Sequence, residues 1–578
     1  MRTKRLSRDD LTDEQRAVLE ADGDLLVVGR PGTGKTSVAL LKALKHLASS
    51  PDTDEQVLFL SFSRAAVQRI EAAAKLYVPR AASRRLFITT FHAFCFDILR
   101  SHARLAGMPR LLGIVLPHEE RMITAEVTDR DAEYARLERE EGRIPFDRLI
   151  ELTLRLFERH PELARAYARA YPLVLIDEYQ DTNDTQDALI DLLAAPGQVI
   201  YLGDPEQRIY DWLPEVRHDR FERLIARRWP TRIDLPLTCH RSGASDLIAY
   251  GRAVLSGATL STQPKDVLRL RYAKAKFSHQ LRVGIRQAEK AVRAKLGASA
   301  RPEVAIMSYK NSFVARLSSD LRGTTESFLH PFAHRLHVGL EEIGPMWAVV
   351  LALLGCRGDA PATTVVGDAL HELGRHERAQ GTKGRLKRAQ ALFQAAEAMR
   401  DGSKVKKPSL RGLPARVESA ARAFTGQPRA DVRAIIELLR QTPGGYFNDV
   451  IKVLDLRSPA DASNALVGDL ADAYASHGYY RDAARLGDAF LLREHLVRGE
   501  AGAGGRIVMT LHKCKGKEFD AVVIADGPSE ADGLVLGDDD AQLSRSRRLL
   551  AMAIARARHN VVIVTPAYRP CPLLPEAR

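Results

Sequence analysis

The fold is decided by Gly29-Arg30-Pro31-Gly32-Thr33-Gly34-Lys35-Thr36, which follows the apolar run Asp24-Leu25-Leu26-Val27-Val28. A short apolar run of this kind predicts a buried parallel strand. The eight residues fit the pattern G-x-x-x-x-G-K-[ST] of a phosphate loop, whose glycines allow backbone N–H groups to surround phosphate groups. In that pattern Lys35 reaches the β and γ phosphate oxygens and the Thr36 hydroxyl ligates Mg²⁺. The stretch therefore predicts a nucleoside triphosphate with Mg²⁺ at the carboxyl end of a parallel sheet.

A second string, Asp177-Glu178-Tyr179-Gln180-Asp181, follows another apolar run, Leu173-Val174-Leu175-Ile176. We expect Asp177 to hold Mg²⁺ and Glu178 to accept a proton from the attacking water. A phosphate loop alone is compatible with kinases, GTPases and many ATPases. Its combination with D-E-x-Q-D indicates nucleotide hydrolysis coupled to work on nucleic acid.

Length and composition indicate a protein of several domains. A chain of 578 residues is too long for a single core, and 45% hydrophobic with 28% charged residues is typical of soluble globular proteins. No apolar stretch is long enough to cross a bilayer, and the basic start Met1-Arg2-Thr3-Lys4-Arg5 lacks the apolar segment of a signal peptide. The five cysteines are scattered, so we expect no zinc or Fe–S site and a cytoplasmic location.

The formal net charge of +13 suits a polyanionic partner such as nucleic acid. Many basic proteins never bind nucleic acid, so the charge has this meaning only beside the two hydrolysis motifs.

Apolar runs predict two sets of strands. The first set comprises 57–60, 86–89, 173–176, 198–202 and 233–235, and the second comprises 267–270, 304–307, 506–509, 521–524 and 560–564. The pattern predicts two α/β domains, each interrupted by a mainly helical insertion. The predicted bounds are 1–95 and 166–252 for the first domain, 96–165 for its insertion, 253–322 and 506–578 for the second domain, and 323–505 for the second insertion.

The second insertion carries two basic runs, 383–388 and 404–408, with few acids between them. We favour a solvated, disorder-prone surface loop here over a contact with nucleic acid or a partner. The glycine-rich stretch 502–505 is typical of a hinge.

A third string runs from Gly203 to Trp212 and places Gln207 where its amide can bond a γ-phosphate or the attacking water. Tyr210 and Trp212 can stack on the bases of a single strand, worth about 1–3 kcal/mol each. For an isolated aromatic pair, core packing is the better interpretation, but the neighbouring Gln207 favours stacking.

Two arginines, Arg241 and Arg556, are candidates for the cations that stabilise a transferring phosphoryl group, worth roughly 10³–10⁵ in rate. Either one alone is more typical of a surface ion pair. The string 510–519 offers polar groups to a phosphodiester strand, and its Glu518 offers a carboxylate to a ribose hydroxyl.

These strings, in this order, resemble the UvrD/Rep/PcrA family of superfamily-1A DNA helicases over nearly the whole chain outside the two insertions. The resemblance implies an α/β fold of two RecA-like P-loop domains with parallel sheets, and Leu11-Thr12-Asp13-Glu14-Gln15 matches the family's adenine-reading motif. Strings 61–66 and 90–94 match motifs that face DNA.

The residues implied to bind nucleotide are Gln15, Gly29, Pro31, Gly32, Thr33, Gly34, Lys35, Thr36, His240 and Glu518. The implied catalytic residues are Lys35, Glu178, Gln207, Arg241 and Arg556, the Mg²⁺ ligands are Thr36 and Asp177, and the DNA contacts are Phe62, Phe91, His92, Tyr210, Trp212, His512 and Lys515.

The chain also departs from the family pattern. His240 replaces a tyrosine that stacks on adenine, and Leu213 replaces an arginine. In Ala555-Arg556-Ala557, which resembles the family's motif VI, Ala555 replaces the threonine that precedes the arginine. Ser37-Val38 lacks the arginine that often follows the phosphate loop. These changes spare the groups that contact phosphate and metal, so we expect ATP hydrolysis to be retained and its coupling to DNA to be altered.

Two functions follow from the resemblance. The first is a Mg²⁺-dependent, DNA-stimulated ATPase that moves 3′→5′ on single-stranded or tailed duplex DNA. The second is a DNA-sensing ATPase subunit that regulates a partner nuclease, as in compact UvrD-like proteins of bacterial antiphage systems such as Gabija. A short second insertion, a chain end soon after Val564 and the altered motifs motivate this alternative.

Substituting Trp212→Ala tests the stacking assignment. We expect single-stranded DNA binding to weaken by about 1–3 kcal/mol, nearly independently of sequence and without a change in salt slope, because stacking releases no counterions. If Trp212 is a core residue instead, the substitution lowers stability by roughly 3–5 kcal/mol. Thermal melting beside a DNA titration separates the two, and a well-folded variant with unchanged DNA affinity contradicts both.

Overall fold

The computed structural model describes residues 11–30, 32–49, 54–110, 112–194, 197–205, 219–236, 245–260, 262–322, 332–337, 340–357, 361–456, 458–459, 464–496, 505–535, 537 and 539–575. The chain forms two compact units. The first unit comprises Met1–Ser101, Leu149–His337 and Gly499–Arg578, and the second comprises His102–Arg148 and Val338–Arg498. None of the helices among these described residues is long and apolar enough to span a bilayer.

The described residues contain fourteen strands. They are β1 (Leu25–Val28), β2 (Val57–Ser61), β3 (Leu86–Thr90), β4 (Gly113–Val115), β5 (Arg143–Pro145), β6 (Leu173–Ile176), β7 (Gln198–Gly203), β8 (Thr231–Asp234), β9 (Val267–Tyr272), β10 (Glu303–Ser308), β11 (Arg335–Leu336), β12 (Gly505–Thr510), β13 (Phe519–Ala525) and β14 (Ala557–Pro566).

The same part of the chain contains twenty-four α-helices. They are α1 (Asp13–Glu20), α2 (Lys35–Ser49), α3 (Arg64–Tyr77), α4 (Arg80–Ser83), α5 (Phe91–Ser101), α6 (Pro117–Thr124), α7 (Arg130–Arg136), α8 (Leu149–Arg159), α9 (Pro161–Ala170), α10 (Asp184–Ala194), α11 (Arg220–Arg228), α12 (Ser245–Ser256), α13 (Phe277–Leu296), α14 (Asn311–Arg322), α15 (Leu340–Leu354), α16 (Thr363–Ala379), α17 (Lys383–Arg400), α18 (Pro408–Arg411), α19 (Leu413–Arg422), α20 (Pro428–Arg440), α21 (Asn448–Leu456), α22 (Asn464–His477), α23 (Ala483–Leu496) and α24 (Asp540–Ile554).

The first sheet of the first unit has the strand order β3-β2-β6-β7-β1-β8, and all of its neighbouring strands are parallel. Its central strands are buried on both faces, as their continuous apolar runs predict. Strands β1 and β6 flank β7, so the phosphate loop after β1 and the D-E-x-Q-D string after β6 leave the same edge of the sheet.

The second sheet of this unit has the order β11-β12-β10-β13-β14-β9 and is also parallel throughout. Strand β12 lies between β11 and β10, although more than 160 residues separate it from them in the chain (335–336 to 505). The predicted class, two RecA-like α/β domains interrupted by helical insertions, is confirmed.

The second unit is mainly helical and has its own core. Trp347, on α15, is fully buried there and stacks on Phe490 with ring centroids 6.0 Å apart. Leu116 belongs to the same apolar cluster, so residues from both insertions contribute to one core. The short parallel pair β4-β5 also lies in this unit. The unit comprises 102–148 and 338–498, and the wider insertion bounds 96–165 and 323–505 stay predictions.

The expectation of a surface loop at 383–388 is wrong, because these residues begin helix α17. Arg385 and Arg388 form ion pairs with the fully buried carboxylate of Glu377, at 3.1 and 3.4 Å. Two of the positive charges in this run are therefore paired with one buried acid. The charges of neighbouring residues in the sequence do not reveal such a pairing. The second run does lie in a loop, with Lys404, Lys406 and Lys407 exposed. Of the predicted hinge 502–505, only Gly505 is among the described residues, and it begins β12.

Candidate nucleotide site

The phosphate loop has the backbone conformation that its glycines were expected to allow. Gly32 and Gly34 lie in the left-handed region, with φ of +85° and +86°. A Cβ atom on Gly29 would lie 2.6 Å from Thr33 Oγ1, so this position excludes larger residues. The Thr33 hydroxyl donates to the carbonyl of Arg30 at 2.8 Å, which closes the loop on itself.

Lys35 begins α2 and its ammonium group is held by the loop. Nζ donates to the carbonyl oxygens of Gly29 and, at 3.2 Å, Arg30. Burial lowers the pKa of Lys35, while the carboxylates of Asp204, Glu178 and Asp177 oppose this shift. The lysine therefore faces three acids, and the phosphates of a bound nucleotide would replace the carbonyl oxygens as its partners. Thr36 follows as the second residue of the helix and is half-buried.

Gln15 is buried and connects α1 to the phosphate loop. Its Oε1 accepts from the Thr12 N–H at 3.1 Å, and its Nε2 donates to the Thr33 carbonyl at 3.0 Å. The Thr12 hydroxyl in turn accepts from the Gln15 N–H, which completes a capping box at the start of α1. The role of Gln15 as adenine reader stays a prediction, and it requires the amide to change partners.

Asp177 and Glu178 occupy the carboxyl end of β6. Asp177 is buried, and its N–H donates to the Leu60 carbonyl at 2.9 Å, which continues the pairing of β6 with β2. Glu178 has φ of +55°, a conformation that costs a non-glycine residue about 1–3 kcal/mol and that occurs most often at functional sites. The turn is anchored by Tyr179, whose buried hydroxyl donates to Asp187 at 2.9 Å.

The two carboxylates are shifted in opposite directions. Burial, followed by the charge of Glu178, raises the pKa of Asp177. Burial also acts to raise the pKa of Glu178, but the cations Lys515, Arg69, Arg556 and Lys35 outweigh it and lower that pKa.

Asp177 and Thr36 fit a Mg²⁺ ion. Burial is the main cause of the raised pKa of Asp177, and a hard divalent cation beside the carboxylate would favour its ionised form. The hydroxyl and carboxylate oxygens are the donors that Mg²⁺ prefers, and the ion normally completes its shell with phosphate oxygens and water. Arg69 Nη2 lies 3.5 Å from the carboxylate of Asp177.

The second sheet supplies two cations to this site. Lys515, just after the 3₁₀ turn Leu511–Cys514, forms an ion pair with Asp181, and both side chains are almost completely buried. Arg556, also buried, lies between α24 and β14 and is close enough to lower the pKa of Glu178. Arg69 adds a further connection, because its Nη1 donates to the Gly516 carbonyl at 3.3 Å.

Sequence reasoning missed the role of Gln180. Its Nε2 donates to Glu178 Oε2 at 2.6 Å, and its Oε1 accepts from the Asp204 N–H at 3.0 Å. The fully buried amide thus orients the Glu178 carboxylate against the end of β7. The spacing D-E-x-Q-D includes Gln180 and could have indicated this role. The residues around Arg69 in the sequence give no indication of its contact with Asp177. Lys515 contacts Asp181, and its expected contact with DNA stays a prediction.

The other predicted nucleotide-binding and DNA-binding residues that the structure describes have separate surroundings. Glu518 pairs with Arg558 at 3.4 Å, and His512 packs against Tyr309 with ring centroids 5.3 Å apart. Burial lowers the pKa of His512 and of His92 to about 4 in each case. Phe91 is buried and Phe62 is half-buried. A DNA contact by the Phe91 ring would require a change of conformation.

Six predicted site residues lie outside the described residues, and their assignments stay predictions. They are Pro31, Gln207, Tyr210, Trp212, His240 and Arg241.

The buried ion pair gives a testable consequence. We expect Lys515→Met to lower the free energy of unfolding by roughly 3–5 kcal/mol, because it removes a buried cation that pairs with the Asp181 carboxylate. The double variant Asp181→Asn/Lys515→Met should recover most of this loss, since it removes both charges. Lys452→Met is the control, because Lys452 is 75% exposed in its pair with Asp449 and should cost under about 1 kcal/mol. Denaturant unfolding measures all three, and a Lys515→Met protein as stable as the parent contradicts the assignment.

Comparison with known proteins agrees with this site. Residues 11–132 and 116–215 match the UvrD/REP helicase N-terminal domain. The ATP-dependent DNA helicase PcrA of Staphylococcus aureus (strain Mu50 / ATCC 700699) is 28% identical over 248 residues, covering 35% of this chain and 34% of the relative. PcrA of Staphylococcus epidermidis (strain ATCC 12228 / FDA PCI 1200) is 27% identical over 248 residues, which also cover 35% of this chain and 34% of the relative. The chain thus spans about a third of the length of the curated relatives it matches. The matched region contains the phosphate loop and the D-E-x-Q-D string, so this part of the chain is similar to the UvrD/REP helicase N-terminal domain.

Proposed function

We propose that this protein is an ATP-dependent DNA translocase and helicase that moves 3′→5′ on single-stranded DNA. The observation that carries the proposal is the Asp177–Glu178 pair, which receives Lys35 from its own sheet and Lys515 and Arg556 from the second sheet. The matched relatives are named ATP-dependent DNA helicases, and the net charge of +13 suits a polyanionic substrate. The polarity is inferred from the family resemblance.

Binding and orientation of ATP are assigned to the phosphate loop. Lys35 would exchange its carbonyl partners for the β and γ phosphate oxygens, and Thr36 and Asp177 would hold Mg²⁺. Bound Mg²⁺ neutralises charge on the phosphates. Gln207 and Arg241 are proposed as the γ-phosphate sensor and as a second cation beside Arg556.

Glu178 is proposed as the base that accepts a proton from the attacking water. Its surrounding cations keep it ionised at neutral pH. The negative charge of a bound triphosphate would offset those cations and raise the pKa of Glu178 toward a more basic value. Gln180 holds the carboxylate in one orientation, so the proton is accepted at a defined oxygen.

Coupling to DNA movement is proposed to use the same charges. Arg69 and Lys515 contact groups on both sheets, so a change of charge at the phosphate site changes the attraction between the sheets. ATP binding and product release would then alternate two arrangements of the sheets, and this alternation would move the protein along its strand.

Substituting Glu178→Gln tests the base assignment. We expect ATP turnover in the presence of single-stranded DNA to fall by about 10²–10⁴-fold, because the amide cannot accept the proton. Nucleotide binding, followed with a fluorescent ATP analogue, should be retained. Glu151→Gln is the matched control, since Glu151 lies in an exposed ion pair on α8. Turnover retained by Glu178→Gln would remove the base assignment.

The second candidate is a DNA-sensing ATPase subunit that regulates a nuclease. The observation in its favour is the replacement of motif VI threonine by Ala555, which precedes Arg556 at the end of α24 and offers no hydroxyl to couple DNA contact with hydrolysis.

Strand displacement by the purified chain distinguishes the two candidates. The helicase proposal predicts ATP-dependent unwinding of a 3′-tailed duplex and none of a 5′-tailed or blunt duplex. DNA-stimulated ATP turnover without unwinding of any of the three supports the regulatory subunit. Preference for the 5′-tailed duplex contradicts the proposed polarity, and the Glu178→Gln protein serves as the blank.

A further inference from the structure

Strand β8 forms one edge of the first sheet and pairs with β1 alone among the described residues. The N–H groups of Thr231 and Leu235 donate to the carbonyls of Asp24 and Val28, each at 2.8 Å. Backbone groups alternate in direction along a strand, so those of Arg232 and Asp234 point away from β1. Three of the four strand residues are exposed, which leaves an edge suited to a further strand.

The side chains at this edge carry opposite charges two residues apart. Arg232 donates from Nε and Nη2 to the two carboxylate oxygens of Asp234, at 2.9 Å each. Both side chains are more than half exposed, at 52% and 57%. Residues i and i+2 of a strand lie on the same face, so the pair forms a plus–minus pattern parallel to the strand.

This pattern is complementary to itself. If two copies of β8 run antiparallel with Ile233 on the two-fold axis, Arg232 of each copy lies opposite Asp234 of the other. Arg232 and Asp234 are also the residues whose backbone groups face outward, so each facing pair can exchange two backbone hydrogen bonds. The same register thus satisfies the backbone and matches the charges, and opposite charges across strands stabilise the pairing.

We propose that β8 is a self-association surface, through which two copies of this chain pair antiparallel and form a symmetric dimer. The inference is independent of the proposed helicase activity, because β8 contains none of the residues assigned to nucleotide or DNA.

Trp229 supports a protein partner for this surface. It precedes β8, is 83% exposed and has φ of +50°, an unfavourable conformation for a bulky residue. The neighbouring Arg227 and Arg228 form ion pairs at 2.8 Å with Asp187 and Asp24. The arginines described next to β8 are thus paired with acids, which disfavours nucleic acid as the partner, whereas an exposed tryptophan beside paired charges is typical of a protein interface.

The expected dimer is weak. A four-residue edge and one tryptophan per copy form an interface at the low end of the known size range, under about 1,200 Å² in total. Dimerisation should accordingly depend on protein concentration.

Sedimentation analysis of the full chain over a concentration series tests the proposal. The parent protein should dimerise at high concentration. Arg232→Asp places two acids opposite each other and Asp234→Arg places two bases opposite each other, so each should raise the dimer dissociation constant at least tenfold. Trp229→Ser should also weaken the dimer. Melting temperatures close to that of the parent establish that each variant is folded.

Two complementation experiments make the test specific. The double variant Arg232→Asp/Asp234→Arg exchanges the charges, keeps the pattern self-complementary and should dimerise like the parent. A mixture of the two single variants should form a mixed dimer, because acid then faces base at every position. A parent protein that stays monomeric overturns the proposal, as do single variants that dimerise like the parent or a charge exchange that fails to restore the dimer.

Discussion

Burial of two adjacent carboxylates at the end of β6 creates a requirement that much of the first unit satisfies. Isolated ionised carboxylates in a protein interior cost several kcal/mol each unless cations and hydrogen bonds surround them. Lys35 from the phosphate loop and Arg69 from α3 act on both Asp177 and Glu178, and the second sheet adds Lys515 and Arg556 at Glu178. The cations of the proposed ATP site are therefore also the groups that stabilise the buried carboxylates when no nucleotide is bound.

The need for cations beside these buried acids also accounts for contacts between the two sheets. At about 4 Å and an effective dielectric constant near 20, a pair of unit charges interacts by about 4 kcal/mol, which is comparable to a large share of a domain's stability. The Lys515–Asp181 pair places one such interaction between the two sheets, and the hydrogen bond from Arg69 to the Gly516 carbonyl adds a second contact. A ligand that adds negative charge between them must change how strongly the sheets attract each other. Under the proposed function, these charges would connect hydrolysis at this site to the arrangement of the two sheets.

The second unit also contains a buried carboxylate that is stabilised by cations. Glu377 is fully buried among apolar residues of the helical core and is neutralised by Arg385 and Arg388. Basic residues that resemble a nucleic-acid patch in the sequence are in part counter-ions of an internal acid. Charge counts for a helical insertion therefore overestimate the charge available to DNA.

The sequence alone determined the fold class and the centre of the site. Apolar runs of three to five residues predicted eleven of the described strands, and the spacing of Gly29–Thr36 and Asp177–Asp181 indicated the phosphate loop and its acids, because these motifs depend on local backbone geometry and residue type. The tertiary structure alone decided which cations face Glu178, that Gln180 orients it, and that Lys515 lies against Asp181 while the Phe91 ring is buried. Those facts depend on contacts between residues up to several hundred positions apart. Burial then sets both the strength of each charge and the partners available to it, and no local pattern of residues encodes this information.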